Sequence, residues 1–226
     1  FNNNLAIVQS FGNALNLTSI TDDASPKQTL VLSSELGCNG NLNDHVSERA
    51  PNGTLWIAVQ CYHSSSYDWT LLSYDSQNGL NERYTVSGGS GGGVGPGAFY
   101  FDIQIRDDGT VVVISADRNQ PNNQAKLFSH IYRTDGTSDF YLIANMKDLD
   151  SGSNALEKDI DGNLWLCYWD SNTSSTYGSL GLAKLSHLWN SNGIPPWQLE
   201  TGIHSEIGKM CSTTSDSLGN IFVASY

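Results

Sequence analysis

Apolar and polar positions alternate along most of the chain, in short runs separated by turn residues. Four segments share one pattern, in which a polar turn ends in Gly, Thr or Asn follows, and a run of apolar and aromatic residues comes next. They are residues 50–59, 107–114, 159–166 and 216–223. Glycine accepts the positive φ that a tight turn between two strands requires. Each segment is therefore predicted to be a turn that enters a β-strand.

The turn glycines recur at a nearly constant spacing. Gly53, Gly109, Gly162 and Gly219 lie 56, 53 and 57 residues apart. Strand-like runs follow the hairpins: third strands are predicted at 69–75, 126–132 and 180–186, and fourth strands at 83–86 and 140–143. A period near 55 residues with four strands per repeat is typical of propeller blades. The pattern predicts an all-β fold with four repeats.

The two ends of the chain carry complementary halves of a repeat. The fourth repeat reaches only its second strand at Tyr226, whereas residues 5–11 and 15–20 match third and fourth strands around a turn at 12–13. Their pairing would close a ring without an open sheet edge. We therefore expect one four-bladed β-propeller domain over residues 1–226, with blades at about 26–88, 89–147, 148–202, and 203–226 plus 1–25. Alternation alone leaves an irregular β-sandwich, or a ring made from two chains, as alternatives.

Two of the repeated segments resemble a known blade motif. Residues 159–166 (DIDGNLWL) and 51–58 (PNGTLWIA) are similar to the motif of sialidase-type (BNR-like) and related extracellular propellers. The resemblance covers the turn-and-strand part of all four repeats and implies a propeller fold. The arginine triad, the acid/base residue and the Tyr–Glu pair of sialidases have no counterparts at corresponding positions, so the resemblance carries no sialidase activity. Function must come from the site, since one fold hosts many functions.

The charge balance excludes several partners. The chain has 23 acidic and 11 basic residues, a net charge of −12. Nucleic-acid binding draws most of its affinity from Lys and Arg contacts to phosphates, so DNA, RNA and anionic membranes are poor partners. No apolar run approaches the roughly 18 residues of a spanning helix, and no membrane insertion is expected.

Other features favour an exported protein. Only 15% of the residues are charged, and N-glycosylation patterns begin at Asn16, Asn52 and Asn172. Four cysteines are compatible with two disulfides. Among the three connectivities, adjacent-blade geometry favours Cys167–Cys211 with Cys38–Cys61. We expect a secreted glycoprotein, and a mature or trimmed chain, because residues 1–4 do not begin a signal peptide.

One row of the predicted first strands is polar and partly acidic. The residues five positions before each turn glycine are Glu48, Gln104, Glu157 and Thr214, and those seven before are Val46, Asp102, Ala155 and Ser212. The innermost strands of a propeller line its central channel, so this row is expected to face it. Ordered water is the alternative occupant.

The segments after the second strands carry the chemistry of a sugar site. Residues 62–69, 117–123 and 169–177 mix aromatic or planar groups with carboxylates and amides. A sugar packs its C–H face on a ring and pairs its hydroxyls with donors and acceptors. The candidate carbohydrate contacts are His63, Tyr67, Asp117, Arg118, Trp169, Asp170 and Tyr177. The segments differ from blade to blade, which predicts one or two sites, whereas Trp56 and Trp165 share one repeat position and are expected to pack between blades.

No metal or cofactor is assigned. The histidines do not have the spacing of a zinc site. A calcium site is a hypothesis for residues 148–154 with Glu157, whose Gly comes too early for an EF-hand. The Gly-rich stretch 87–97 lacks the Gly-Lys-Ser/Thr ending of a phosphate loop. We expect a mobile loop there, at the channel mouth, that orders over a bound ligand.

The leading prediction is a secreted, lectin-like propeller that binds a glycan or polysaccharide without turnover. One alternative is a polysaccharide lyase acting on uronic-acid glycans, in which Arg118 or Arg49 neutralises the carboxylate and His45, His63 or Tyr62 moves the proton. A glycoside hydrolase would use Glu48 and Glu157, provided that roughly 5 to 9.5 Å separates them. A protein-interaction scaffold, the other alternative, predicts a broad apolar patch.

Overall fold

A computed structural model describes residues 5–20, 26–36, 42–63, 66–75, 79–86, 101–117, 125–146, 156–170, 179–188, 197–200 and 211–225. The regular structure of these residues consists of antiparallel β-strands and one 3₁₀ turn at Ser33–Leu36. The all-β prediction is therefore confirmed. The chain divides into two compact units, Phe1–Gly95 and Pro96–Tyr226.

The first unit contains two antiparallel sheets. The three-stranded sheet runs in chain order through β1 (Leu5–Phe11), β2 (Ala14–Ile20) and β3 (Pro26–Leu32). The four-stranded sheet runs in chain order through β4 (Leu42–Arg49), β5 (Leu55–His63), β6 (Ser66–Asp75) and β7 (Gly79–Val86). Alternate apolar side chains of both sheets form one core, which includes Leu15, Leu17, Val31, Leu42, Ile57, Val59 and Leu72.

The second unit contains two four-stranded meanders and a hairpin. The first meander comprises β8 (Phe101–Ile105), β9 (Val111–Asp117), β10 (Ala125–Tyr132) and β11 (Ser138–Met146). The second comprises β12 (Leu156–Lys158), β13 (Leu164–Asp170), β14 (Ser179–Leu185) and β15 (Trp197–Glu200). The hairpin is β16 (Cys211–Ser215) with β17 (Ile221–Ser225). A single pairing, Met146 with Asp170, joins the meanders into an eight-stranded sheet.

The core of the second unit lies between its repeated elements. Its buried members come from β9, β10 and β11 of the first meander, from all four strands of the second, and from β16; they include Val112, Ile114, Leu127, Ile131, Ile143, Leu156, Leu164, Leu166, Leu185, Trp197 and Cys211. β12, the shortest strand, contacts both β8 and β16. The first strands of three successive repeats therefore lie side by side.

The four repeats have the same strand register. In each one, the residue five positions before the turn glycine is paired with the residue three positions after it: Glu48 with Trp56, Gln104 with Val112, Glu157 with Trp165 and Thr214 with Phe222. All four predicted hairpins are thus confirmed. β1 and β2 also match the predicted strands at the N-terminal end, with Leu5 paired to Ile20 and Phe11 to Ala14.

The four turns share one backbone conformation and one pattern of backbone hydrogen bonds. The glycine has a φ of 90° at Gly53, 83° at Gly109, 79° at Gly162 and 85° at Gly219, in the left-handed region that only glycine enters freely. Its N–H donates to the carbonyl three residues earlier, and the N–H of that earlier residue donates to the carbonyl just after the glycine. The outer hairpin between β10 and β11 repeats the scheme around Gly136, whose φ is 86°.

Two strands differ from the prediction in extent. β3 pairs with β2 along its whole length, so the three-stranded sheet continues past the blade limit expected at residue 26. β5 and β6 pair as far as His63 with Ser66, so the segment expected to be a loop at 62–69 is mostly the closed end of a hairpin. Aromatic residues favour paired strands, which explains how Tyr62 and Tyr67 extend the ladder.

Candidate functional site

The acidic row of the first strands links one repeat to the next. Asp102 on β8 accepts hydrogen bonds from its neighbour Ile103 N (2.8 Å) and from Leu156 N on β12 (3.0 Å). Glu157 on β12 accepts from Ser215 N (3.2 Å) and Ser215 Oγ (2.8 Å) on β16. These carboxylates take up backbone N–H groups at the junction of neighbouring strands, where buried donors must be satisfied.

The same junctions are reinforced by cationic and amide groups. Gln104 Nε2 donates to Leu156 O at 3.5 Å. Lys158 Nζ donates to Ile105 O at 3.2 Å and forms an ion pair with Asp107 at 2.9 Å. A role in holding β8, β12 and β16 together thus accounts for the polar character of the row within the second unit.

The turn of the third repeat contains a buried hydrogen-bonded carboxylate. Asp159 accepts from Asn163 N (2.8 Å), Asn163 Nδ2 (2.8 Å) and Trp165 Nε1 (2.7 Å). Burial alone would raise the pKa of Asp159, but the hydrogen bonds from Trp165 and Asn163 outweigh it and hold the pKa below its ordinary value. The ring of Trp165 also lies 4.9 Å from Lys184 Nζ. Trp165 is also partly buried and packs against the core of the second unit, while its packing between blades stays a prediction.

The turns fall into two side-chain classes. Where Thr follows the glycine, the residue just before the glycine accepts the Thr N–H: Asn52 from Thr54 (3.0 Å) and Asp108 from Thr110 (2.9 Å). Where Asn follows the glycine, an Asp three residues before it accepts instead, as Asp159 does and as Asp216 does from Asn220 N (2.9 Å). The side-chain acceptor therefore lies just before the glycine when Thr follows the glycine, and three residues before it when Asn follows.

The candidate sugar contacts in the first unit lie at the closed end of one hairpin. His63 is the last residue of β5 and Tyr67 the second residue of β6, and their partners across the ladder are Ser66 and Tyr62. Three aromatic or imidazole residues are therefore grouped within two ladder steps.

In the second unit, the candidate sugar contacts lie at the ends of strands β9 and β13 of the eight-stranded sheet. Asp117 ends β9 and is paired with Lys126, while Trp169 and Asp170 end β13 and are paired with Leu180 and Ser179. The path from β9 to β13 crosses β10 and β11, through Met146 paired with Asp170. Three strand spacings place the two aspartate positions about 14 Å apart. Arg118 and Tyr177 lie outside the described residues.

The candidates for catalysis are divided between the two units. Glu48 and Tyr62 belong to β4 and β5, and His45 Nε2 on β4 donates to Val8 O at 3.2 Å. Arg49 ends β4 and is exposed. Glu157 belongs to the second unit, where one of its oxygens accepts both donors of Ser215. Glu157 is half-buried, and its hydrogen bonds from Ser215 connect β12 to β16.

A histidine on β10 has a perturbed environment that the sequence did not single out. His130 is buried, its Nε2 lies 3.1 Å from Ser115 Oγ, and its ring packs against Phe140 with 4.7 Å between centroids. Burial lowers the pKa of His130 to about 4, so the ring is neutral at physiological pH. Phe140 also stacks on Phe128, again at 4.7 Å. No local motif marks these residues, because the contact depends on the pairing of three strands.

The predicted disulfide between Cys167 and Cys211 is confirmed. It joins β13 to β16 across a sequence separation of 44, with 6.2 Å between the Cα atoms, and both cysteines are buried. Cys61 on β5 is also disulfide-bonded. Its predicted partner, Cys38, lies outside the described residues.

The remaining sequence hypotheses concern segments that are only partly described. The Gly-rich stretch 87–97 and residues 148–154 of the calcium hypothesis lie outside the described residues. Among the side chains that the structure does describe, no group of three or more His, Cys, Asp or Glu is arranged to hold a metal ion. The described part of the chain also holds no helix with the length and apolarity needed to cross a bilayer.

No protein-family model matches the chain, and no curated protein sequence matches it.

Proposed function

We propose that the protein is a secreted, carbohydrate-binding β-propeller that holds a glycan without turning it over. The observation that carries the proposal is that an aromatic or carboxylate position ends the second strand of three repeats: His63 on β5, Asp117 on β9 and Trp169–Asp170 on β13. Aromatic rings bind the C–H face of a sugar, and carboxylates bind its hydroxyls.

The repeat geometry supports the four-bladed propeller within this proposal. The four repeats share one strand register, and β12 lies between β8 and β16, as the first strands of successive blades would. The hydrogen bonds of Asp102 and Glu157 to the next strand recur at this junction.

The cysteines support export. Cys167–Cys211 is a buried disulfide, and Cys61 is disulfide-bonded as well. Structural disulfides persist in oxidising compartments and are rare in the cytosol. The low content of charged side chains fits the same setting.

Binding to an array of glycans that includes uronic-acid polymers tests the function. We expect retention of at least one glycan class, and a loss of about tenfold or more in affinity for Trp169→Ala or Asp170→Asn, since removing a stacking ring or a charged acceptor costs more than about 1.4 kcal/mol. Asp161→Asn is the matched control, because it makes the same charge change in an exposed turn beyond the opposite end of β13. Its affinity should equal that of the parent.

The same array separates binding from catalysis. Each retained glycan is recovered and analysed by mass spectrometry for shortened or unsaturated products. Intact glycan supports the proposal. Cleaved glycan would replace it with the lyase or hydrolase alternative, and an array without any retained glycan would refute carbohydrate binding and favour a protein partner.

A further inference from the structure

The glycosylation patterns occupy different structural settings. Asn52 precedes the turn glycine Gly53 between β4 and β5, and its side chain is exposed. Asn16 lies in the middle of β2, paired with Gln9 of β1 on one side and with Leu30 of β3 on the other, and it is half-buried. Asn172 lies outside the described residues.

The turn prepares the amide of Asn52 for modification. Its Oδ1 accepts the N–H of Thr54, the third residue of the same pattern, at 3.0 Å. This hydrogen bond holds the Oδ1 end of the amide and does not involve Nδ2, the atom that a glycan would modify. The backbone around it is held by Gly53 N to Ala50 O (2.9 Å) and Ala50 N to Thr54 O (2.8 Å).

The equivalent positions of the other repeats show that this site has room for a large substituent. Asp108, Asp161 and Leu218 also stand just before a turn glycine, and all three are exposed. Leu218 is 81% exposed, although it is a large apolar side chain. The position just before the glycine is therefore directed away from the sheet in every repeat.

We propose that Asn52, and not Asn16, carries an N-linked glycan in the mature protein. A membrane-bound transferase would supply the sugar from an oligosaccharide attached to a lipid diphosphate. The bond between Asn52 Nδ2 and C1 of the first sugar forms as the bond between C1 and the phosphate oxygen breaks. Nδ2 gives up one proton to a base of the transferase, and the lipid diphosphate leaves with the electron pair of the broken C1–O bond. Within the first unit, the site is separate from the candidate sugar contact His63, because it lies at the opposite end of β5.

Site-specific mapping of protein secreted by a eukaryotic cell line tests the proposal. Treatment with an amide-cleaving glycosidase in heavy-oxygen water converts each glycosylated Asn into a labelled Asp. We expect the label at Asn52 in most molecules and none at Asn16. A parallel digest without the glycosidase measures spontaneous deamidation of Asn52–Gly53, and this background is subtracted.

Two variants define the site further. Thr54→Ala removes the hydroxyl that the transferase requires while keeping Asn52 and the backbone N–H, and it should abolish the label at Asn52. Asn16→Gln should leave the label at Asn52 unchanged. Label at Asn16, an unlabelled Asn52 in the secreted parent, or label at Asn52 that survives Thr54→Ala would each overturn the proposal.

Discussion

At the scale of single residues, the hydrogen bonds of Asp159 distinguish the turn of the third repeat from the similar turn of the fourth. The third and fourth repeats share an Asp three residues before the glycine and an Asn just after it. Of these two repeats, the third has Trp165 where the fourth has Phe222, so Asp159 receives an indole N–H and Asp216 does not. The indole donor and the deeper burial make this carboxylate more important for stability than its counterpart Asp216.

We expect Asp159→Asn to lower the free energy of unfolding by about 1–3 kcal/mol at neutral pH, because buried donors lose a charged acceptor. The pKa of Asp159 lies below the unfolded-chain value near 4, so its contribution is present above that pH and is lost as the pH falls through the folded-state pKa. The difference in the free energy of unfolding between variant and parent should thus become smaller in acid. Urea unfolding at several pH values measures it.

Asp216→Asn is the matched control for this measurement. It changes the same turn position, but Asp216 is bonded only within its own turn. A smaller loss than that of Asp159→Asn is expected. An Asp159→Asn variant as stable as the parent at neutral pH would show that the indole bond contributes nothing.

At the scale of elements, the stability of the hairpin of β16 and β17 depends on its links to the second meander. Its strands are short and pair with each other, and isolated two-stranded hairpins are marginally stable. Glu157 and the Cys167–Cys211 disulfide connect β16 to the second meander. The disulfide closes a loop of 44 residues, for which chain-entropy arguments give about 4 kcal/mol of stabilisation.

We expect the double variant Cys167→Ala with Cys211→Ala to lose up to about 4 kcal/mol and to expose the hairpin first. Hydrogen exchange should speed up in β16 and β17 before it does in β9 and β10. Removing the disulfide by variation leaves the Cys61 disulfide intact, which chemical reduction would not. Equal acceleration in all four strands would contradict a local role of the disulfide.

The sequence predicts elements far better than it predicts the site. Turn glycines and alternating apolar runs are local signals, so the four hairpins and the strands at 5–11 and 15–20 could be placed correctly. The Cys167–Cys211 pair followed from the repeat order. The linking role of Asp102 and Glu157, and the packing of His130 on Phe140, could not be predicted, because each depends on which strand lies alongside another and in which register.

At the scale of the whole molecule, the net charge of −12 works against compactness. Like charges repel over a distance set by the ionic strength, and salt shortens that distance. The ion pairs Lys158–Asp107 and Arg133–Asp139 involve partly exposed groups. Pairs of this kind contribute about 1 kcal/mol or less.

We expect the melting temperature to rise by a few degrees between 10 mM and about 200 mM sodium chloride, as screening relieves the excess negative charge. Differential scanning fluorimetry measures the shift, and potassium chloride should reproduce it because the effect is one of ionic strength. A melting temperature that falls with salt would mean that attractive pairs outweigh the repulsion.

The disulfide between β13 and β16 also determines how the chain responds to force. A pull between the ends of the polypeptide passes from Cys167 directly to Cys211. The residues between them carry no load, however completely β14 and β15 unravel. With a sequence separation of 44 bridged in this way, this disulfide alone shortens the fully stretched chain by about 150 Å. Mechanically, the second meander is therefore divided into a part that bears tension and a part that is shielded from it.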